Sequence, residues 1–223
     1  MTGPEARWVE AGTEMDRTIF FSDAVFAIAI TLLALDITIP KPKHVLGREL
    51  SSVVLAQWPD VLSFAVSFLI IGAYWMAHHR IFHYIKRYDA TLLWLNLLFL
   101  MSIAFLPFPD RVLSEWGDRE QFALIFYATS VAVAGLLLSL VWLYATRGRR
   151  LVDSDIDPRL VRYFFSRGLM PPLVFLGSIV ISFVSLRAAL GSWLLLLAAR
   201  PMLGRLHYPL DPNAPWWRRL LER

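Results

Sequence analysis

Apolar residues occur in long runs along the chain, and short segments rich in charges and prolines separate the runs. The runs cover residues 18–39, 60–82, 90–107, 122–145, 168–186 and 188–203. A helix needs about 20 mostly apolar residues to cross the hydrocarbon core of a bilayer. The runs are too long for the alternating strands of a membrane barrel. The pattern therefore predicts an all-α membrane protein with six transmembrane helices per chain.

Prolines predict where several of these helices begin and end. Pro40 opens a polar loop after the first run, and residues 49–57 are expected to form a short interfacial segment. Pro107 is expected to end the third run, with a mixed-charge loop after it, because a proline lacks the N–H that helical bonding needs. The adjacent prolines 171 and 172 are expected to start or bend the fifth run.

The runs are continuous enough to predict one membrane domain and no second one. We assign residues 1–16 to a cytoplasmic arm, 17–204 to the six-helix domain and 205–223 to a cytoplasmic or interfacial tail. Trp216 and Trp217 in that tail are typical of the level of the lipid headgroups, and the neighbouring arginines suit anionic lipid.

Charge supports this interpretation and predicts an orientation. Apolar residues make up 57% of the chain and charged residues 18%. The net charge of +4 does not indicate nucleic acid, because the basic residues lie between the apolar runs. Of the 22 Lys and Arg residues, 16 fall on the side that holds both termini, so the positive-inside rule predicts cytoplasmic termini in the inner membrane. The chain has no cysteine, which excludes disulfides and thiolate chemistry.

The first run carries the residues that point to a function. An ionisable residue such as Asp23 is costly inside a membrane and usually has a role. At about 100° per residue, Ile28, Thr31, Leu32 and Leu35 fall on one stripe of the helix, whereas Asp23 lies about 140° from Ile28. Such a stripe alone has a plainer explanation, because every membrane helix presents an apolar face.

The sequence around this stripe contains a recognisable set of residues. They are Arg17, Phe21, Ser22 and Asp23, then Trp75, His78 and His79 in WMAHHRIF, and Asn96 of the third run. This set resembles the signature of the transmembrane protein 175 family of potassium channels. The resemblance covers residues 17–108, whereas residues 120–223 agree only in hydropathy. One set of six runs is similar to the bacterial branch of the family.

The resemblance implies a homo-oligomer, with four chains in the bacterial branch, around a central pore lined by the first helix. It implies that potassium passes in preference to sodium without a carbonyl filter, and the chain indeed lacks Thr-Val-Gly-Tyr-Gly. The constricting positions of the family match Ile28, Leu32 and Leu35, and Thr31 matches a hydroxyl layer linked to selectivity. Other copies, the lipid bilayer and permeant potassium are the implied partners. Neither a cofactor, a metal, nucleic acid nor enzymatic activity is expected.

Two groups of residues receive roles on this basis. The stripe would form a narrow apolar neck that blocks ions by dewetting, with Ile28 as the tightest point. Asp36 lies beside the stripe near the outer end and would concentrate cations there. Arg17 and Asp23 are six positions apart on different faces, so they are not expected to pair. Asp23 is expected to bond to other helices, for which Trp75, His78, His79 and Asn96 are the candidates. The two histidines have a second explanation, which is solvation at the headgroup level.

Two other functions fit the same runs. A secondary transporter is the main alternative, although the runs show no inverted repeat or pair of broken helices at matching positions. A metal-dependent membrane enzyme is the other, since His78, His79, His83 and Asp23 resemble a ligand set. Against it, Arg80 adds a repulsive charge beside the histidines.

Overall fold

The computed structural model describes residues 9–10, 13–37, 49–117 and 119–196, and every structural statement below concerns this part of the chain. The fold is helical apart from two strands of two residues each. Its elements are β1 Val9–Glu10, α1 Thr13–Leu33, a 3-10 turn Ala34–Asp36, α2 Leu50–Leu55, α3 Trp58–Tyr84, β2 Arg87–Tyr88, α4 Ala90–Phe105, α5 Pro107–Trp116, α6 Gln121–Thr146, a 3-10 turn Arg147–Arg149, α7 Pro158–Ser182 and α8 Leu186–Ser192.

Four helical stretches are long and apolar enough to cross a membrane, which confirms a multi-pass membrane protein. They are Leu50–Tyr84, Ala90–Trp116, Gln121–Arg149 and Pro158–Ser182. Helix α1 adds 21 residues, with several charges near its start. The predicted sixth run corresponds to α8, which has seven residues, and residues 197–203 lie outside the described part. The count of six spans is therefore not confirmed. The predicted tail at 205–223 also lies outside the described residues.

Two helix boundaries differ from the prediction because proline is tolerated in the first turn of a helix. The prediction of a mixed-charge loop after Pro107 is wrong, since α5 runs from that proline to Trp116. Helix α7 begins at Pro158, ten residues before the predicted start at 168. The Asp157 side chain caps α7 by accepting a hydrogen bond from the Arg159 N–H at 2.7 Å. The adjacent prolines 171 and 172 lie inside α7 and do not start it.

Helix α1 also differs from the predicted first run. It begins at Thr13, inside the predicted arm, and its α-helical hydrogen bonding ends at Leu33, with a 3-10 turn to Asp36. Strand β1 of the same arm pairs antiparallel with β2, with Val9 opposite Tyr88. The arm is therefore attached to the turn between α3 and α4, and Pro40 lies outside the described residues.

Helix α6 is the most buried of the four candidate spans. In its most apolar window of 18 residues 56% are buried, against 39% or less in the other three. Small residues let α7 approach it closely: a Cβ placed on Gly135 would lie 2.5 Å from Cγ of Pro172, and one on Gly168 would lie 2.9 Å from the Ser139 hydroxyl. Close packing between small residues is how membrane helices gain van der Waals contact.

One end of the bundle is joined by polar contacts between the α3–α4 turn and the α6–α7 connection. Asp89 caps α4 by accepting from the Leu92 N–H at 2.8 Å. Its other carboxylate oxygen accepts from the Tyr144 hydroxyl at 2.7 Å and from Arg150 at 2.9 Å. An isolated bridge pairs Ile85 with Val152. Because the Asp89 side chain is only 8% exposed, this ion pair is better shielded than an ordinary surface pair.

Candidate functional site

Helix α1 presents two different faces, and one of them packs against the protein. Ser22, Phe26, Ala29 and Leu33 recur every three or four residues and are at most 1% exposed. This spacing places them on one side of an α-helix. Helix α1 packs mainly against α3 and α4, which hold it against the bundle.

The other face of α1 is apolar and exposed. Phe21 is 52% exposed, Ile28 60%, Leu32 41% and Leu35 71%. Thr31 is exposed on the same face, and its hydroxyl donates to the Ile28 carbonyl oxygen at 2.9 Å. The residues predicted to line a pore thus share one surface that no other described part of the chain covers. In a membrane protein, such a surface faces either lipid or another copy of the chain.

The upper end of this face departs from regular α-helix geometry. Leu35 and Asp36 belong to the 3-10 turn, which advances about 120° per residue and shifts both residues from the positions of an α-helical wheel. The side chain of Asp36, predicted to attract cations at the outer mouth, lies outside the described residues.

A buried hydrogen-bond chain connects the packed face of α1 to α4 and α3. Asn96 donates from Nδ2 to the Ser22 hydroxyl oxygen at 3.1 Å, and the Ser22 hydroxyl donates to the Thr18 carbonyl oxygen at 2.8 Å. His78 Nε2 lies 3.0 Å from Asn96 Oδ1. Since an amide oxygen only accepts, His78 must donate from Nε2. The donors therefore all point one way, from α3 through α4 to α1.

Aromatic rings enclose His78. Its ring centroid lies 4.1 Å from that of Phe82 in a stacked arrangement, 5.7 Å from that of Phe99 and 5.8 Å from that of Phe26. His78 is fully buried, and its Nδ1 has no hydrogen-bond partner among the described residues. Solvation at the headgroup level is thus wrong for His78, whereas His79 is exposed beside Trp75.

Asp23 is bonded to a neighbouring helix. The Trp75 indole Nε1 of α3 donates to Asp23 Oδ1 at 2.8 Å. Trp75 was one of the expected partners, whereas Asn96 bonds to His78 and to Ser22. Arg17 and Phe21 lie elsewhere, along a groove that α1 forms with Leu93 and Leu97 of α4. Seven of the eight motif residues therefore belong to the hydrogen-bond chain, to the Asp23–Trp75 contact or to the groove with α4, and His79 lies beside Trp75.

A second buried polar cluster was missed by the sequence reasoning. The Ser67 hydroxyl of α3 donates to Asp110 of α5, and the Tyr127 hydroxyl of α6 lies 3.0 Å from Ser67. Asp110 is 4% exposed. The sequence did contain a signal for the start of α5, because Asp110 follows two prolines in its first turn. A carboxylate at the N-terminus of a helix stabilises the helix.

The described residues contain no group of three or more His, Asp or Glu side chains placed to hold a metal ion. The histidines of the alternative ligand set point to different surroundings, since His78 is buried while His79 is exposed. His83 instead packs edge-to-face against Tyr84, with 5.4 Å between the ring centroids.

Comparisons with known proteins agree with the resemblance seen in the sequence. Residues 17–107 match a family model described as the endosomal/lysosomal potassium channel TMEM175. A potassium channel of Streptomyces collinus is 38% identical over 181 residues, which cover 77% of this chain and 84% of the relative. The chicken endosomal/lysosomal proton channel TMEM175 is 26% identical, and the match covers 73% of this chain but only 33% of that protein.

Solved structures show the same architecture. The crystal structure of a lysosomal potassium-selective channel TMEM175 homologue from Chamaesiphon minutus superposes with a TM-score of 0.74 at 31% identity. The match covers 86% of this chain and 99% of that one. A potassium channel MtTMEM175 variant superposes with a TM-score of 0.60 at 21% identity, which supports the fold alone.

Proposed function

Because the chain belongs to the TMEM175 family of ion channels, we propose that it conducts potassium through a pore lined by α1. The single observation that carries this proposal is the apolar face of α1 that includes Ile28, Leu32 and Leu35, which stays exposed while the opposite face is packed. One helix per chain cannot enclose a path, so several copies must surround it. We take four, the number in the bacterial branch that the chain resembles.

The proposed conduction mechanism depends on ring after ring of branched side chains. Four copies of Ile28, Leu32 and Leu35 form a narrow apolar neck, from which water withdraws when the neck is tight. Conduction requires the neck to widen enough for a partly hydrated ion. Potassium holds its hydration shell less tightly than sodium does, so this neck prefers potassium by a modest factor.

Hydroxyl and carboxylate groups complete the proposed pathway. The Thr31 side chain already donates to its own helix, which leaves its oxygen lone pairs as acceptors for a passing cation. Asp36, repeated around the symmetry axis near the outer end, raises the local cation concentration. With both termini cytoplasmic in the inner membrane, the 3-10 turn that holds Asp36 lies at the outer side.

The motif residues are proposed to hold α1 at the right distance from the axis. Asp23 bonds to Trp75, and Ser22 bonds to Asn96, so two partners on different helices hold consecutive residues of α1. Arg17 and Phe21 line the groove with α4, and His78 and His79 extend the contacts along α3. A helix held in this way presents its exposed face to the other copies without bonding to them.

Flux from purified protein in liposomes tests the proposal. Vesicles loaded with potassium should release it at a rate that grows linearly with the gradient, and sodium should move more slowly under matched conditions. A pH-sensitive dye in the same vesicles reports proton entry. Saturable flux coupled to a second gradient would support a secondary transporter, and the absence of any ion flux would overturn the proposal.

A further inference from the structure

A cavity of about 140 Å³ lies between α3, α6 and α7, and no residue of α1 contributes to the described part of its wall. The residues that line it are all buried or half-buried, and most are apolar. All three helices contribute aromatic rings, namely Tyr74, Trp142, Phe164 and Phe175. Since an apolar cavity of about 150 Å³ is large enough to hold benzene, this one has room for a molecule the size of a single ring.

The neutral polar side chains of this wall already use their hydrogen-bond donors. The Tyr74 hydroxyl donates to the Val131 carbonyl oxygen at 2.8 Å, and the Ser139 hydroxyl donates to a carbonyl oxygen of its own helix at 2.8 Å. The Trp142 indole Nε1 donates to a carbonyl oxygen of α7 at 3.0 Å. The two hydroxyl oxygens keep lone pairs that can still accept. On these side chains the wall therefore offers acceptors to a ligand, not donors.

The backbone of α7 adds a carbonyl acceptor to the same wall. In an α-helix a carbonyl oxygen accepts from the N–H four residues later, but Pro171 has no N–H to give to the Arg167 carbonyl oxygen. The residues of α7 that line the cavity recur at helical spacing and include Phe164, Arg167, Gly168, Pro171 and Phe175. The side of α7 that has lost this hydrogen bond is therefore the side that faces the cavity.

Gly168 brings this part of the backbone close to a second acceptor. A Cβ placed on Gly168 would lie 2.9 Å from the Ser139 hydroxyl oxygen, so the backbone of α7 and that side chain adjoin in the wall. The Gly168 carbonyl oxygen also lacks its helical donor, because the residue four positions later is Pro172. Acceptors of α6 and α7 are thus concentrated at one place in an otherwise apolar wall. A ligand that supplies an O–H there gains a hydrogen bond in an apolar environment.

We propose that this cavity binds one small neutral molecule that has an apolar body the size of a single ring and one hydroxyl group. The body lies between the aromatic rings, and the hydroxyl donates to the Arg167 carbonyl oxygen beside Ser139. The arginine side chains of the wall bond within their own helices, Arg80 to the Met76 carbonyl oxygen at 3.0 Å and Arg167 to the Tyr163 hydroxyl, and a neutral ligand does not depend on their charge. Because α1 is not part of the wall, ligand binding and ion flux are tested separately.

A pair of fluorinated probes tests the proposal on the full chain in lipid nanodiscs. The probes para-fluorophenol and para-fluorotoluene have nearly the same shape and differ by a hydroxyl in place of a methyl group. Fluorine NMR measures the saturable binding of each, and nanodiscs without protein give its concentration in the lipid. At equal concentration in the lipid, we expect para-fluorophenol to bind about five-fold more tightly, which is the gain from one ordinary hydrogen bond. Equal or tighter binding of para-fluorotoluene, or no saturable binding of either probe, would overturn the proposal.

Pro171→Ala supplies the missing N–H without narrowing the cavity. The new N–H should bond to the Arg167 carbonyl oxygen, so the preference for para-fluorophenol should fall to about two-fold or less while para-fluorotoluene binds as before. Pro158→Ala is the matched control, because it replaces a proline of the same helix outside the cavity. An unchanged preference in Pro171→Ala, or the same loss of preference in both variants, would contradict the carbonyl as the acceptor.

A further variant tests whether the probes occupy the cavity itself. Ala77→Leu fills part of the cavity with apolar atoms and should weaken the binding of both probes by about five-fold or more. Ala188→Leu makes the same change at an exposed position of α8 outside the wall and should leave the binding of both unchanged. Binding to Ala77→Leu equal to that of the unchanged chain would show that the probes lie elsewhere and would overturn the proposal.

Discussion

The side chains that connect α1 to α4 and α3 each make particular hydrogen bonds, and these bonds explain why each residue is of its type. Asn96 must donate to Ser22 and accept from His78 at the same time, and among uncharged side chains of this size only an amide does both in a fixed direction. The Ser22 hydroxyl in turn donates a hydrogen bond to a carbonyl oxygen of its own helix. By contrast, the apolar residues on the exposed face of α1 cannot form side-chain hydrogen bonds, so only their shape and hydropathy matter.

Asn96→Leu should destabilise the protein by about 1–2 kcal/mol, because the buried Nε2 donor of His78 loses its acceptor and the Ser22 hydroxyl oxygen loses the Asn96 donor. The thermal unfolding midpoint in detergent measures the loss. Ser130→Ala is the matched control, since that hydroxyl donates only to the Phe126 carbonyl of its own helix. A loss in Asn96→Leu no larger than that of the control would contradict the proposed importance of the chain.

Ile28→Ala should widen the proposed neck at its tightest point. We expect single-channel conductance to rise, or the preference for potassium over sodium to fall, by about two-fold or more. Ile181→Ala makes the same change on α7, where the side chain is 37% exposed, and should leave both quantities as they were. Permeation unchanged in Ile28→Ala would exclude Ile28 as the constriction.

Much of this could be predicted from the sequence, because a helical stripe depends only on spacing. Ile28 and Leu32 are exposed on one face of α1 as the wheel predicts, whereas Leu35 is exposed in the 3-10 turn, where the wheel no longer applies. Trp75 was named as a partner of Asp23, although spacing alone does not distinguish it from Asn96 or His78. Asp110 was missed because its partner Ser67 lies 43 positions away, and such pairings depend on how the helices pack. The start of α7 was missed although Asp157-Pro158 is a recognisable capping signal.

The helices divide into those that pack and those that present a surface. Helix α6 has buried residues along its whole length and packs closely on α7 through Gly135 and Gly168. Helix α1 packs on one side only and is attached by two neighbouring residues to α3 and α4. This difference fits a bundle in which α6 and α7 pack firmly together and α1 presents a surface to other copies of the chain.

Gly135→Ala should destabilise the packing of α6 on α7. The added Cβ would lie 2.5 Å from Cγ of Pro172 and 2.8 Å from the Tyr74 hydroxyl oxygen, so the helices must separate at a cost of about 1–3 kcal/mol. Gly177→Ala is the matched control, because no atom lies within 4 Å of its added Cβ. Thermal unfolding in detergent compares the two, and equal stability would show that the contact is easily relieved.

Asp23→Ala should impair assembly more than ion selectivity, because it removes the acceptor for Trp75 on α3. We expect the assembled fraction, measured by size-exclusion chromatography with light scattering, to fall by about half or more, while the surviving channels keep their selectivity. Asp23→Asn, which loses the charge, should act in the same direction. Asp16→Ala removes an exposed carboxylate of the same helix and is the control. Normal assemblies with altered permeation would contradict this assignment.

At the scale of the whole molecule, polar contacts connect several elements at one end of the helix bundle, and the apolar face of α1 is left uncovered along its side. The arm, the α3–α4 turn and the α6–α7 connection meet at the end where Asp89 bonds to Tyr144 and Arg150. The apolar face of α1 runs away from that end. Assembly around that face would place the joined ends of all copies on the same side of the membrane.

A chain without cysteine allows a direct test of which surface lies near the axis. Copies of one residue approach each other only near the symmetry axis, so Leu35→Cys should form disulfide-linked dimers on mild oxidation. Val180→Cys is the control, since Val180 and Leu35 are both 71% exposed. Non-reducing gel electrophoresis reads the result. Equal cross-linking of the two variants, or none in Leu35→Cys, would contradict a pore lined by α1.

The apolar character of the exposed α1 face also affects whether a subunit leaks ions before it assembles. Before copies meet, Ile28, Leu32 and Leu35 offer fatty acyl chains the same kind of surface as any other membrane helix. The exposed face of α1 in a newly inserted subunit would therefore not draw water across the bilayer, because these three side chains are apolar. Under the proposed assembly, electrical activity begins only when several subunits have joined.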